Sequence, residues 1–144
     1  MDTLAEHEFP VNDHTVAHAL EWFEAASQQA DWPARTVFKL RLSLDETLTN
    51  IAMYAFADAP PGFEPRVKLR LRQGSQRAVL DILDNGVAFD PTAQTPRELD
   101  TSLDDAQIGG HGLRLMLHYL ESIRYERVGD WNQLELVAVI NEAP

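Results

Sequence analysis

Two polar residues of the sequence have the types and the spacing to act on one ligand. Glu46 and Asn50 are four residues apart, and because an α-helix turns about 100° per residue, a helix places them on one face. A carboxylate accepts a proton from an attacking hydroxyl, and an amide oxygen is a neutral, hard ligand suited to Mg²⁺ carried by phosphates. Taken alone, the pair leaves open the alternative that both side chains only face water.

A third candidate, Asp84, stands at the end of a predicted strand and is followed by Asn85 and Gly86. Its carboxylate can accept a hydrogen bond from the amino group of adenine, while Gly86 allows a ligand close to the backbone or a positive φ angle. Because Asp, Asn and Gly are among the commonest turn residues, a plain turn remains the alternative here.

Glycines also surround His111, at positions 109, 110 and 112, just before a predicted helix. The free N–H groups and the positive dipole end of a helix start attract phosphate, and glycine permits close approach. A flexible connection without a ligand is the alternative. The sequence contains no GxxxxGK(S/T) pattern, so a Walker-type phosphate loop is not supported.

These candidates need helices to position them, and apolar residues recur at the three- and four-residue steps of helical core faces. The pattern predicts a first helix from Asn12 or Asp13 to about residue 29, a second from Pro33 to about Phe56, and a third after Gly112. The predicted buried stripes are Val16, Leu20, Phe23 and Ala26 in the first helix, Val37, Leu40, Leu44, Leu48, Ile51 and Ala55 in the second, and Leu113, Met116, Leu117 and Leu120 in the third.

Strands are predicted from alternating apolar and polar residues, first at residues 7–11 and then as two hairpins. The hairpin strands lie at residues 67–71, 78–82, 123–128 and 134–140. Hairpins with separate helices predict an α/β (α+β) sandwich, in which helices pack on one face of a mixed, mostly antiparallel sheet. The polar stretch at 92–108 has no sustained periodicity, and a loop of this length predicts a mobile lid.

Composition limits the function classes. Hydrophobic residues make up 44% of 144 residues, which predicts one globular domain spanning residues 1–144. The formal charge of −11 argues against a general nucleic-acid or anionic-membrane surface, and the absence of cysteine excludes disulfides and thiolate metal sites. The acidic start and the lack of a long apolar stretch predict a cytoplasmic protein.

In this order and context, the three signals resemble the motifs of the Bergerat-fold ATPases, also called the GHKL superfamily. Residues 46–50 resemble its N-box, residues 84–91 its first glycine box and residues 110–113 its second, and the stretch at 92–108 falls at its ATP lid. Within the superfamily the chain is most similar to the stand-alone anti-sigma-factor serine/threonine kinases. The segments that carry this closer similarity are residues 43–56, 89–91, 109–110 and 131–134.

The resemblance implies a site for ATP and Mg²⁺, with Asn50 as the metal ligand and Glu46 as the base. The nucleotide-binding residues that it implies are Asn50, Asp84, Gly86, Phe89, Gly110, His111, Gly112 and Leu113. Arg97 and Arg114 are further candidates for phosphate contacts. The chain departs from this subfamily at Met53 and at Tyr54, where relatives often have a polar residue and a histidine.

The resemblance also implies a function: phosphorylation of a serine on an anti-anti-sigma-factor-like partner in a partner-switching system. A sigma factor is a possible second partner, and a homodimer is a possible assembly. One alternative is a non-catalytic protein that sequesters its partner under control of ATP. A second is an interaction domain that no longer binds nucleotide, against which the intact Asn50, Asp84 and glycines argue.

Overall fold

The computed structural model describes residues 2–93 and 116–140 of the chain. They form five strands and two long helices in the order β1 (Asp2–Pro10), α1 (Thr15–Gln29), α2 (Ala34–Asn50), β2 (Arg66–Gly74), β3 (Arg77–Asp84), β4 (Ser122–Val128) and β5 (Trp131–Val139). Helix α2 continues directly into a π-helical turn, Ile51–Ala55, and a short 3₁₀ turn covers Pro91–Ala93. Residues 116–119 are helical, while the start of the predicted third helix lies outside the described residues.

The strands form one sheet in the order β1-β2-β3-β5-β4, and every pairing among them is antiparallel. The predicted mostly antiparallel sheet is therefore confirmed. Strand β3 lies at its centre, and its register sets Asp84 opposite Val67 of β2 on one side and Asn132 of β5 on the other. This pairing brings Asn132 beside the candidate adenine contact.

One face of the sheet carries the hydrophobic core. Alternate residues of β2, β3 and β5 are buried together with one stripe of each helix, so the helices pack on this face, as predicted. In α2 the stripe consists of Leu40, Leu44 and Leu48, which recur at four-residue steps and are all buried. The polar face of α2 that holds Glu46 and Asn50 is thereby turned away from the core.

Helix α1 and strand β1 differ from their predictions. In α1 the predicted Phe23 and Ala26 are buried, whereas the predicted Val16 and Leu20 are only half-buried and their neighbours Thr15 and Ala19 are buried instead. Strand β1 begins at Asp2 rather than at residue 7, because it pairs with β2 along nearly its whole length. It is an edge strand, and its mostly exposed side chains show no alternation that a sequence pattern could reveal.

Two further observations concern the third predicted helix and the question of a membrane-spanning helix. Leu117, expected in the buried stripe of the third helix, is exposed, whereas Met116 and Leu120 are buried. No helix in the described ranges has the length and apolar character that crossing a membrane requires.

The opposite face of the sheet contains a buried ion pair that the sequence pattern did not predict. Asp81 of β3 is fully buried on this face, outside the hydrophobic core cluster. Arg72 of β2 donates two hydrogen bonds to it, from Nε to Oδ2 at 2.6 Å and from Nη2 to Oδ1 at 2.8 Å. Arg72 Nη2 also donates to Glu135 of β5 at 2.7 Å, so charged side chains bridge three neighbouring strands.

Replacing Asp81 by alanine should lower the free energy of unfolding by about 1.5–3 kcal/mol, because Arg72 loses two hydrogen bonds to a buried carboxylate while its bond to Glu135 remains. Urea unfolding measures the change. The matched control is Glu24→Ala, which breaks an exposed ion pair with Arg41 and should change the same free energy by less than about 1 kcal/mol. Equal losses in the two variants would contradict a structural role for the Asp81 pair.

Candidate functional site

The polar pair on α2 lies together, as its spacing predicts. Asn50 Nδ2 donates a hydrogen bond to Glu46 Oε1 at 3.3 Å, and both residues are half-buried. Asn50 Oδ1 is buried and accepts no hydrogen bond within the described part of the chain. A buried acceptor without a donor is unfavourable unless a ligand satisfies it. The neutral, hard oxygen of this amide is therefore suited to a Mg²⁺ ion.

The π-helical turn after Asn50 carries the chain to the loop that follows β3. Its last residue, Ala55, accepts a hydrogen bond through its carbonyl oxygen from Val87 N at 3.0 Å. Gly86 lies against the same residue, since a Cβ atom at position 86 would lie 2.6 Å from Ala55 O and 2.7 Å from Ala55 Cβ. Glycine is required at position 86 by this approach and not by a positive φ angle, which Gly86 does not have.

Asp84 is buried at the end of β3, beside the loop. Its Oδ1 accepts hydrogen bonds from Gly86 N at 2.9 Å and from Asn132 Nδ2 at 3.0 Å. Loss of hydration on burial raises the pKa of Asp84 above its ordinary value of 3.8, against the opposing effects of these two hydrogen bonds and the positive charge of Arg127. The carboxylate is thus held in a place where few groups of the protein stabilise its charge.

The loop after Asp84 is tied down on both sides. Asn85 accepts a hydrogen bond from Arg66 N at 2.7 Å and donates one to Glu64 O at 3.0 Å. On the other side Arg127 of β4 donates to Gly86 O at 2.8 Å. Asn85 and Gly86 would also suit a plain turn. Here these hydrogen bonds fix the backbone of the loop beside Asp84.

Sequence reasoning did not assign Asn132 to the site, although residues 131–134 carried part of the family resemblance. Its buried side chain donates to Asp84 Oδ1 and to Val87 O, and it accepts from Phe89 N and Tyr125 Oη. A single asparagine after a turn has no local feature that marks such a role. Only the pairing of β3 with β5 brings it beside Asp84.

The side chains of other predicted site residues are exposed, or the residues are not described. Phe89 is 56% exposed, and the two positions that depart from the subfamily, Met53 and Tyr54, are also exposed. The predicted nucleotide contacts Gly110, His111, Gly112 and Leu113, the candidates Arg97 and Arg114, and residues 94–108 of the predicted lid lie outside the described residues. The structure brings together four of the predicted residues: Glu46 and Asn50 on α2, Asp84 at the end of β3, and Gly86 in the loop that follows.

Gly86→Ala should disrupt the junction between the π-helical turn and the loop, because the new methyl group would overlap Ala55. Overpacking of this kind costs about 1–3 kcal/mol, so thermal unfolding should occur earlier and affinity for nucleotide should fall. Adding Ala55→Gly removes the contact with Ala55 Cβ but keeps the contact with Ala55 O, so it should restore only part of the loss. Ala57→Ser is the control, since it adds one heavy atom at an exposed position two residues beyond Ala55. Full nucleotide affinity in Gly86→Ala would contradict the steric argument.

The raised pKa of Asp84 predicts how stability depends on pH. Between the ordinary value of 3.8 and the raised pKa, the folded protein holds a proton that the unfolded chain has lost, so the free energy of unfolding falls as pH rises through this interval. Asp84→Asn cannot ionise and should gain stability relative to the native protein over the same interval. Urea unfolding across the acidic to neutral range tests this, with Asp58→Asn as a control of equal charge change, and a difference that stays constant with pH would contradict it.

Comparison with known proteins agrees with this geometry. Residues 9–138 match the family model described as the histidine kinase-like ATPase domain. A curated relative, the serine/threonine-protein kinase BtrW of Bordetella bronchiseptica, is 44% identical over 137 residues, which is 95% of this chain and 92% of the relative. The resemblance inferred from the motifs is thereby confirmed at the level of the family.

Solved structures confirm the fold. The blue-light activated histidine kinase of Erythrobacter litoralis EL346 matches 76% of this chain with a TM-score of 0.56 at 22% identity, and this chain covers 32% of it. The histidine kinase AdeS of Acinetobacter baumannii matches 94% of this chain with a TM-score of 0.50 at 15% identity, and 68% of that chain is covered. On its motifs, its sheet and its match over residues 9–138, the chain belongs to the family of histidine kinase-like ATPase domains.

Proposed function

We propose that this protein is an ATP-dependent serine/threonine kinase that phosphorylates an anti-anti-sigma-factor-like partner. The observation that carries the proposal is the buried, unsatisfied Asn50 Oδ1 beside Glu46, on a helix whose extension contacts the loop of Asp84. A metal ligand, a candidate base and a candidate adenine contact thus belong to one connected framework. The 44% identity with a protein named as a serine/threonine-protein kinase supports the same activity.

Asn50 would hold Mg²⁺ through Oδ1, and the ion would offset the negative charge that the phosphates bring to a protein of charge −11. Asn50 is itself oriented by the hydrogen bond that its Nδ2 donates to Glu46. This bond leaves the amide oxygen as the atom that would ligate the ion.

Glu46 is proposed as the base that orients or deprotonates the acceptor hydroxyl. Its Oε1 accepts the bond from Asn50, so the carboxylate is held next to the proposed metal ligand. A seryl hydroxyl that binds here would be placed close to the phosphate to be transferred. Phosphoryl transfer needs mainly positioning and neutralisation of charge, so one oriented carboxylate and one metal ligand are adequate machinery for the protein to supply.

The proposed adenine contact is Asp84, with Gly86 and Phe89 beside it. Phe89 is exposed at the rim of the site, where a base can stack on its ring. The residues at 110–113 would complete the phosphate side, as the family resemblance implies. A cytoplasmic location is part of the proposal, because a kinase of this type draws on ATP and acts on a regulatory protein.

The identity of the partner is proposed on the subfamily resemblance. An anti-anti-sigma-factor-like protein supplies the serine, a sigma factor is a possible second partner, and a homodimer is a possible assembly. The strongly negative charge argues against direct contact with nucleic acid or an anionic membrane. The alternative, a binding protein regulated by ATP without transfer, is less favoured, because Glu46 is retained and oriented toward Asn50.

Two variants distinguish a kinase from an ATP-regulated binding protein, because they should affect Mg·ATP affinity and phosphate transfer differently. Glu46→Gln keeps the shape of the side chain and removes the base, so it should lower the rate of transfer by about 10²- to 10⁴-fold and leave Mg·ATP affinity nearly unchanged. Asn50→Ala removes the proposed metal ligand, so affinity and transfer should fall together. Calorimetric titration with Mg·ATP and a single-turnover assay with γ-labelled ATP and the serine-bearing partner measure the two quantities.

Asp45→Asn is the matched control, since it makes the same chemical change one residue away on the same helix. It should transfer phosphate at the native rate. If Glu46→Gln also transfers phosphate at the native rate, Glu46 is not the base. If the native protein binds Mg·ATP and transfers no phosphate, the alternative of an ATP-regulated binding protein is favoured.

A further inference from the structure

The side chain of Asn132 uses its whole hydrogen-bonding capacity inside the protein. Nδ2 donates to Val87 O at 2.8 Å and to Asp84 Oδ1 at 3.0 Å. Oδ1 accepts from Phe89 N at 3.3 Å and from Tyr125 Oη. An amide group has two donor hydrogens and one acceptor oxygen with two lone pairs, so these four bonds saturate it.

Two backbone partners fix the orientation of this amide. A carbonyl oxygen such as Val87 O can only accept a hydrogen bond, and an N–H group such as that of Phe89 can only donate one. If the amide were turned over, oxygen would face oxygen at Val87 and hydrogens would face each other at Phe89. Asn132 therefore presents a donor, and never an acceptor, to Asp84.

This orientation decides which oxygen of Asp84 remains for a ligand. Gly86 N and Asn132 Nδ2 both donate to Oδ1. Within the described residues no hydrogen bond goes to Oδ2, so this oxygen keeps its lone pairs. Arg127 is the charged neighbour, and it is directed at Gly86 O.

We propose that Asn132 is a positioning residue that sets the base selectivity of the nucleotide site, by holding Asp84 so that Oδ2 meets the 6-position of the purine as an acceptor. The inference rests on the proposed function, since it takes Asp84 to face the base. An acceptor at this place binds the 6-amino group of ATP. The same acceptor repels the 6-carbonyl oxygen of ITP. ITP has no 2-amino group, so it differs from ATP at the purine 6-position without an added substituent at the 2-position.

The arrangement makes a specific statement about Asp84→Asn. The donors from Gly86 and Asn132 still require an oxygen at the place of Oδ1, so the new amide must turn its NH₂ group to the place of Oδ2. The atom that meets the base then changes from an acceptor to a donor. Selectivity should reverse in favour of ITP, and should not merely be lost.

The experiment is calorimetric titration of the full chain with Mg·ATP and with Mg·ITP, which reports binding without any transfer step. The native protein should prefer ATP by about 10- to 100-fold, the effect of one mismatched buried hydrogen bond. Asp84→Asn should prefer ITP. Asn132→Leu, which can neither donate nor accept, should bring the ratio of the two affinities toward one, because Asp84 loses the donor that holds it and its carboxylate can move away from the base.

Thr36→Val is the matched control. Thr36 Oγ1 donates to Val139 O, so this variant also removes a buried side-chain hydrogen bond to β5, but at the other end of the strand. It should keep the native ratio of affinities. Circular dichroism and thermal unfolding establish that each variant is folded.

Each result has one meaning. A native ratio in folded Asn132→Leu, or an Asp84→Asn protein that weakens ATP and ITP equally, overturns the inference but keeps Asp84 in the site. Affinities unchanged by Asp84→Asn for both nucleotides would instead remove Asp84 from the site and contradict the proposed function. If Asn132→Leu does not fold, Asn132→Ala takes its place, and a native ratio of affinities in that folded variant overturns the inference.

Discussion

The candidate site depends on one close contact between two stretches of backbone. Gly86 approaches Ala55 so nearly that no side chain fits at position 86. Through this contact and the bond from Val87 N to Ala55 O, the end of the second helix is joined to the loop after the central strand. The helix supplies Glu46 and Asn50, and the strand supplies Asp84. Together with the packing of the helix on the sheet, this contact fixes where Glu46 and Asn50 lie relative to Asp84.

Two buried aspartates on the same strand show how burial can serve structure or function. Asp81 is fully buried and shares two hydrogen bonds with Arg72, so its charge is compensated within the protein. Asp84 is also buried, but its bonding partners are an amide and a backbone N–H, and its pKa is raised. A buried carboxylate whose negative charge the protein compensates only in part lowers the stability of the ligand-free protein. The same carboxylate can accept a hydrogen bond from a ligand. The difference between the two is consistent with a structural role for Asp81 and a binding role for Asp84.

The fold of this protein is shared with histidine kinases, whereas its activity is supported by other observations. Histidine kinases with 15–22% identity share the architecture, which shows the fold alone, since one scaffold can host different chemistry. The residues of the site and the relative of 44% identity support a serine/threonine kinase. The hydrogen bonds of Asn132 belong to this chain's own structure, and they give the shared scaffold a definite set of donors and acceptors around Asp84.

The sequence by itself determined the features that local periodicity governs. The step of four residues put Glu46 and Asn50 on one helical face, and the alternation in β2 and β3 predicted a sheet with one buried side. The tertiary structure decided the rest: the burial of Asp81 on the other face, and the pairing of Asp84 with Asn132 across 48 positions. The physical reason is that the register between strands depends on contacts among distant residues. Side-chain periods of 3.6 and 2 residues act within one element and carry no information about which strand becomes its neighbour.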